Sequence, residues 1–101
     1  MACNASEGTT DEALRVRVSN IAYQKMYGDA RILTGDIENL SDERISVAQI
    51  DVSLYDPGNR KVESLMILVR DIESGATVSF REPVRSKFDI RSAKARAVFL
   101  P

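Results

Sequence analysis

Apolar and polar side chains alternate along most of this chain with a period of two, the repeat that sorts the side chains of a β-strand onto opposite faces. Leu14, Val16 and Val18 are separated by Arg15, Arg17 and Ser19, and the alternation resumes at Ile21 and Tyr23. The change of parity at Ser19-Asn20 predicts a bulge or a bend. Tyr27-Gly28-Asp29 predicts a turn into a second strand over residues 30–39, with Leu33, Gly35 and Ile37 on one face. After the polar, turn-prone segment Asn39-Leu40-Ser41-Asp42-Glu43, the residues Ile45, Val47, Ile50, Val52 and Leu54 make the strongest strand signal in the chain. The slip of parity between Val47 and Ile50 predicts a second bulge. Asp56-Pro57-Gly58-Asn59 has the composition of a type II turn, with Gly58 where a positive φ is needed.

Val62 to Ile72 is apolar on both parities, with Leu65, Ile67 and Val69 on one and Met66 and Leu68 on the other. A strand is predicted here rather than a helix. The segment follows a tight turn, ends at Ser74-Gly75 and has no polar face repeating every 3.6 residues. Val78 and Phe80 form a further strand closed by Pro83, residues 84–96 are mixed, and Ala95, Ala97 and Phe99 alternate into a last strand that stops at Pro101. Short strands joined by Gly, Pro, Asn and Asp turns predict an all-β fold of two packed antiparallel sheets, a β-sandwich of about seven strands, or a small barrel. Residues 1–12, with no large apolar side chain after Met1, read as a flexible tether, and 13–101 as one domain.

Composition agrees with one self-folding domain: 101 residues, 44% hydrophobic and 29% charged. Fourteen basic and fifteen acidic residues leave a formal charge of -1, so no global field draws the chain to nucleic acid or to an anionic membrane. With no histidine and one cysteine, neither an internal disulfide nor a Cys/His zinc site can be assembled within the chain. No apolar run nears the roughly 18 residues of a membrane span, which predicts a soluble chain.

The segments Gly35-Asp36-Ile37-Glu38-Asn39, Ile50-Asp51-Val52-Ser53-Leu54-Tyr55-Asp56-Pro57-Gly58 and Ile72-Glu73-Ser74-Gly75-Ala76-Thr77-Val78-Ser79-Phe80 together resemble the FxLYD family. That family has a Gly-x-Val/Ile-x-Asn strand, an aliphatic strand ending in Leu-Tyr-Asp, a glycine turn and a Leu-x-x-Gly-x-x-x-x-Phe element. The resemblance spans residues 35–80; Val52 stands where phenylalanine gives the family its name, and Ile72 where leucine is usual. It implies an immunoglobulin-like β-sandwich, related to the late-embryogenesis-abundant-14-like domains, used as an extracytoplasmic envelope or periplasmic module of bacteria and archaea. It implies no reaction. Fold therefore transfers further than role. The motif residues Gly35, Asn39, Leu54, Tyr55, Asp56, Gly58, Gly75 and Phe80 also have structural readings: close backbone approach, bonding at a strand exit, turn geometry and core packing.

Candidate chemistry is thin. Without histidine the usual nucleophile and base pairs are absent, and Ser86-Lys87 and Ser92-Ala93-Lys94 sit in an ordinary polar stretch, so the expectation is that the chain is not an enzyme and holds no cofactor. Asp29, Asp36, Glu38, Asp42 and Glu43 are close in sequence but match no calcium loop, and no metal is predicted. Arg81, Arg85, Lys87, Arg91, Lys94 and Arg96, opposed by Glu82 and Asp89, form a local basic surplus that could meet an acidic partner or guard a sheet edge. Ala2-Cys3 before a small, acidic linker resembles the processed junction of a bacterial lipoprotein, making Cys3 a candidate lipid anchor and placing the chain outside the cytoplasm; an unmodified thiol on a cytoplasmic chain is the alternative.

These observations predict a non-catalytic envelope module that contacts or spaces another protein, by strand addition at the last strand, Lys94 to Leu100, or near Leu14 to Val18. Its partner and oligomeric state are not written in the sequence. The alternative is a small-ligand carrier with an inter-sheet pocket lined by Met66, Phe80, Phe88 and Phe99, against which stand an aromatic content of 6% and the lack of tryptophan.

Overall fold

The computed structural model describes residues 8–11 and 15–101, which form strands and turns with no helix among them. Six strands make two antiparallel sheets of three: β2 (Val16–Lys25), β3 (Arg31–Asn39) and β6 (Thr77–Pro83) in one, β5 (Lys61–Ile72), β4 (Ile45–Tyr55) and β7 (Ser92–Phe99) in the other. A four-residue strand, β1 (Gly8–Asp11), extends the first sheet by pairing with β2, giving the orders β1-β2-β3-β6 and β5-β4-β7. Part of the segment read as a tether is therefore a strand. Residues 1–7 and 12–14, with Cys3 and Leu14, lie outside the described residues.

Two hairpins, β2-β3 and β4-β5, build the sheets, and the connections 40–44, 73–76 and 84–91 pass from one sheet to the other. Val16, Val18, Leu33, Ile37 and Phe80 from the first sheet and Ala48, Ile50, Val52, Leu54, Ile67, Val69 and Val98 from the second belong to one buried cluster. Ile21 and Tyr23 pack against it. Burial of this alternating apolar set, at about 25 cal/mol per Å² of apolar surface, is what orders the strands.

The bulge predicted in the first long strand is present. Ser19 pairs with Asp36 and Ala22 with Thr34, so two residues, Asn20 and Ile21, oppose Gly35, and Asn20 takes φ 58°. The second predicted bulge is not between Val47 and Ile50, where the β4-β5 register runs unbroken. No register shift replaces it: Ile45↔Ile72 and Val47↔Arg70 are in one register, and the buried parity changes on both strands there, from Ile45 to Ala48 and from Val69 to Ile72, beside Asp71 at φ 59°. Ile45 is thus buried while Val47 is only half-buried, and Ala48 fills the core position. The register shifts of the second sheet fall elsewhere, between Leu54 and Tyr55 against β5 and between Asp51 and Val52 against β7. The latter leaves Arg96 unmatched and turns Val98 inward and Phe99 outward, opposite to the alternation read from Ala95, Ala97 and Phe99.

The β4-β5 turn also differs in detail. Asn59 donates its amide to the Asp56 carbonyl at 2.8 Å, and Asn59 rather than Gly58 has the positive φ, 63°. Asparagine tolerates the left-handed region because its short polar side chain can bond locally, so the turn needs no glycine at its third position. Gly75 does fill such a place, at φ 75° in the turn closed by Ala76 N–H to the Glu73 carbonyl at 3.0 Å.

Candidate functional site

The family-like residues gather into two structural knots. At the exit of β3, Asn39 is fully buried and uses its whole side-chain amide. Its Nδ2 donates to the carbonyls of Glu43 at 2.7 Å and Ile72 at 3.0 Å, and its Oδ1 accepts from the Ser41 amide at 2.9 Å and the Ser41 hydroxyl at 2.7 Å. Its backbone bonds to Ala76 and Gly75. One side chain thus ties both inter-sheet connections, 40–44 and 73–76, to the strand end. The second knot is Gly35 opposite Phe80 in the β3-β6 ladder. A Cβ on Gly35 would lie 2.5 Å from Phe80 Cζ and 2.8 Å from Ile21 Cδ1, so the bulge and the aromatic ring close over a backbone that must lack a side chain.

Leu54 is in the core, and Tyr55, half-buried, accepts from the Arg91 amide through its carbonyl at 2.8 Å and lies 5.5 Å below the Lys94 ammonium. Asp56 caps its turn, its carboxylate accepting from the Arg60 amide at 2.9 Å. These contacts are all internal. Tyr55 and Asp56 act as a strand-end packing residue and a turn cap.

The basic residues do not line up. Arg81 is on β6 of the first sheet, Arg85, Lys87 and Arg91 are in the 84–91 connection, and Lys94 and Arg96 are on β7 of the second sheet. Arg85 and Lys87 line a groove of about 590 Å³ with Arg31 and Asp29, and Arg96 lines another of about 390 Å³ with Lys61, Asp51 and Met66. The carboxylates are also spread: Asp29 is in the β2-β3 turn, Asp36 and Glu38 on β3, Asp42 and Glu43 in the 40–44 connection. Asp36 accepts from Asn20 Nδ2 at 2.8 Å and Ser79 Oγ at 2.7 Å, and these bonds, the first above all, hold its carboxyl below the usual range.

The residues named for an inter-sheet pocket are not brought together. Phe80 is buried, whereas Met66, Phe88 and Phe99 are largely exposed. Where Leu65 and Ile67 face the core, the other parity of β5 puts Met66 and Leu68 on the outer face of the sheet, and the grooves at Arg96, at Arg85 and at Gly35 are each lined from one sheet or its adjoining loops.

Sequence reasoning missed the most exposed feature of the second sheet, the position of β5 at its edge. Twelve residues long, β5 pairs with β4 on one side, and among the described residues Glu63–Arg70 have no backbone partner on the other. Met66 and Leu68 are 57% and 51% exposed. On the outer face Leu68 stands in a row with Gln49 and Phe99, and Met66 with Asp51 and Ala97. The missed signal was available: a strand apolar on both parities, flanked by charges only at its ends. Of the edges expected from sequence, the last strand does end its sheet, but Val16 and Val18 are on β2, which is covered by β1.

Comparison of the chain with family models, with curated proteins and with solved structures finds no match in any of the three.

Proposed function

We propose that this chain is a non-catalytic protein-interaction module, an immunoglobulin-like β-sandwich of FxLYD type, that engages its partner by strand pairing along β5. The observation that carries the reading is the long β5 edge, with unpaired backbone over Glu63–Arg70 and apolar side chains exposed beside it. Such an edge presents N–H and C=O groups in a row, and a strand laid along it gains main-chain bonds for affinity and alternate side-chain contacts for specificity. Two knots built on Asn39 and on Gly35 with Phe80 support the motif residues as scaffold rather than as ligand contacts.

In the same reading the chain works outside the cytoplasm, held to a membrane through a lipidated Cys3, and its partner is another envelope protein. A photo-crosslinking amino acid at Leu68, compared with one at Arg17 on the outer face of the first sheet, tests the surface in the native host. Crosslinks from Leu68 alone support β5 as the contact. Equal yields from both positions, or none from either, overturn it. Intact mass of the protein from its own host tests the anchor: a diacylglyceryl increment on Cys3 supports it, and an unmodified chain refutes it.

A further inference from the structure

The four strands that end the two sheets are not equally protected. β1 has four residues; β6 has seven, carries Arg81 and Glu82 and closes on Pro83; β7 carries Lys94 and Arg96 and is interrupted by the register shift at Arg96. Shortness, charge, proline and bulges are the devices that keep sheet edges from pairing. None of them interrupts the middle of β5. Between Lys61 and Glu63 at one end and Arg70 and Asp71 at the other, the run Ser64-Leu65-Met66-Ile67-Leu68-Val69 has no charge, no glycine and no proline.

We infer that β5 pairs with β5 of a second copy of this chain, antiparallel, about a two-fold axis through Ile67. The inference rests on the reading of β5 as a strand-pairing edge and names the partner. A two-fold axis normal to the sheet keeps the core faces of both copies on one side, so residues of the same parity oppose one another and only a few registers are open. Centred on Ile67, Leu65 faces Val69, Met66 faces Leu68 and Ile67 faces itself, so all five apolar residues have apolar partners. Centring on Met66 sets Glu63 against Val69, and centring on Leu68 sets Leu65 against Asp71 and Met66 against Arg70.

At the ends of the Ile67 register one pair opposes like charges and one opposes unlike charges. Glu63 comes beside Asp71, whose carboxylate is already held by Arg44, and Arg44 also lies 3.2 Å from Glu73, which falls opposite Lys61. The two three-stranded sheets become one continuous sheet in the order β7-β4-β5-β5-β4-β7, and both unprotected edges are removed at once.

Register and partner are tested together with single-cysteine chains in a Cys3→Ser background. Directly opposed residues of an antiparallel pair have Cα atoms about 4.5–5.5 Å apart, inside the disulfide range, whereas residues offset by two positions fall at about 8 Å, outside it. Met66→Cys and Leu68→Cys, of distinguishable mass, form a mixed disulfide when combined and no self-linked dimer when separate. Met66→Cys linking to itself, or Leu68→Cys to itself, overturns the register.

Sedimentation equilibrium of the full chain is expected to show a dimer, which the double substitution Met66→Lys with Leu68→Lys should weaken by about a hundredfold through like charges set opposite one another, the fold being checked by circular dichroism. A full chain that stays monomeric at about 1 mM, a concentration at which any specific dimer would be populated, overturns the second copy as partner. If such a monomer still crosslinks another protein from Leu68 in the host, the strand-pairing reading stands and only the identity of the partner falls.

Discussion

Asn39 is the side chain whose loss should be felt most for its size. Asn39→Ala removes the four hydrogen bonds of the amide at a position with no solvent exposure. Ser41 and the Glu43 carbonyl sit toward the surface and can turn to water, but the Ile72 carbonyl accepts from Asn39 Nδ2 in a buried bond that water cannot replace. An unsatisfied buried acceptor costs about 1–3 kcal/mol and each net bond about 1 kcal/mol, so the substitution should cost about 3–4 kcal/mol, a large part of the stability of a small domain. Asn39→Asp keeps the shape but sets a carboxyl oxygen against two carbonyls. The buried acid then holds its proton more tightly when folded than unfolded, so the penalty grows as pH rises through the unfolded carboxyl pKa of about 4. Urea unfolding of the wild type and both variants at neutral and acidic pH measures each effect. A loss under about 1 kcal/mol for Asn39→Ala, or an Asn39→Asp penalty that does not change with pH, would refute the account.

Gly35→Ala should destabilise by about 1–3 kcal/mol because its methyl group enters the Phe80 ring and Ile21, and Phe80→Leu in the same chain should recover part of the loss; strictly additive costs would show that the ring is not the obstacle. Gly58→Ala should be neutral or stabilising by up to about 1 kcal/mol, whereas Gly75→Ala should cost at least about 1 kcal/mol, since Gly58 lacks the positive φ that Gly75 has; the two thermal midpoints decide it. Asp36 has its folded pKa lowered by Asn20 and Ser79, so its contribution is present above the unfolded carboxyl value and is lost as pH falls through the folded one. Urea midpoints of the wild type and Asp36→Asn should therefore converge as pH falls through the lowered folded value, and a gap that stays constant with pH would count against those bonds.

Alternation located five of the six long strands, because each has one face in a shared core and a period of two is what that burial selects; β5, apolar on both parities, was placed by its flanking turns and the lack of a helical polar face. Where prediction and structure part, the cause is a residue whose backbone preference is weaker than its context. Asn20, Asn59 and Asp71 all take left-handed conformations; Asn20 and Asp71 coincide with parity changes, before Ile21 and between Val69 and Ile72, and Asn59 does not. At Asn59 the glycine next door drew the prediction. At Asp71 the buried parity changes on both strands, from Ile45 to Ala48 and from Val69 to Ile72, without a register shift, and the sequence reading took the change on β4 alone for a bulge. The register shift at Arg96 was hidden because Ala95 and Ala97 are too small to reveal which face is buried. β1 was missed because Gly8 to Asp11 has no apolar alternation, and it is joined to the sheet by ladder pairing with β2.

The edge surface was legible only in part, for a reason that bears on its function. A strand with one buried face alternates, and a strand buried on both faces is apolar throughout. β5 reads like the second kind and sits like neither, with Leu65, Ile67 and Val69 directed to the core while Met66 and Leu68 face outward at an edge. In a folded chain that is otherwise careful with its edges, shortening β1, closing β6 with Pro83 and charging β7, the uncharged run 64–69 in the middle of the β5 edge is a departure. Edge protection is removed where pairing is wanted, because the groups that prevent unwanted strands from docking also prevent the wanted one. The pattern that made β5 hardest to read as an ordinary strand is thus the pattern expected of a strand that acquires a neighbour.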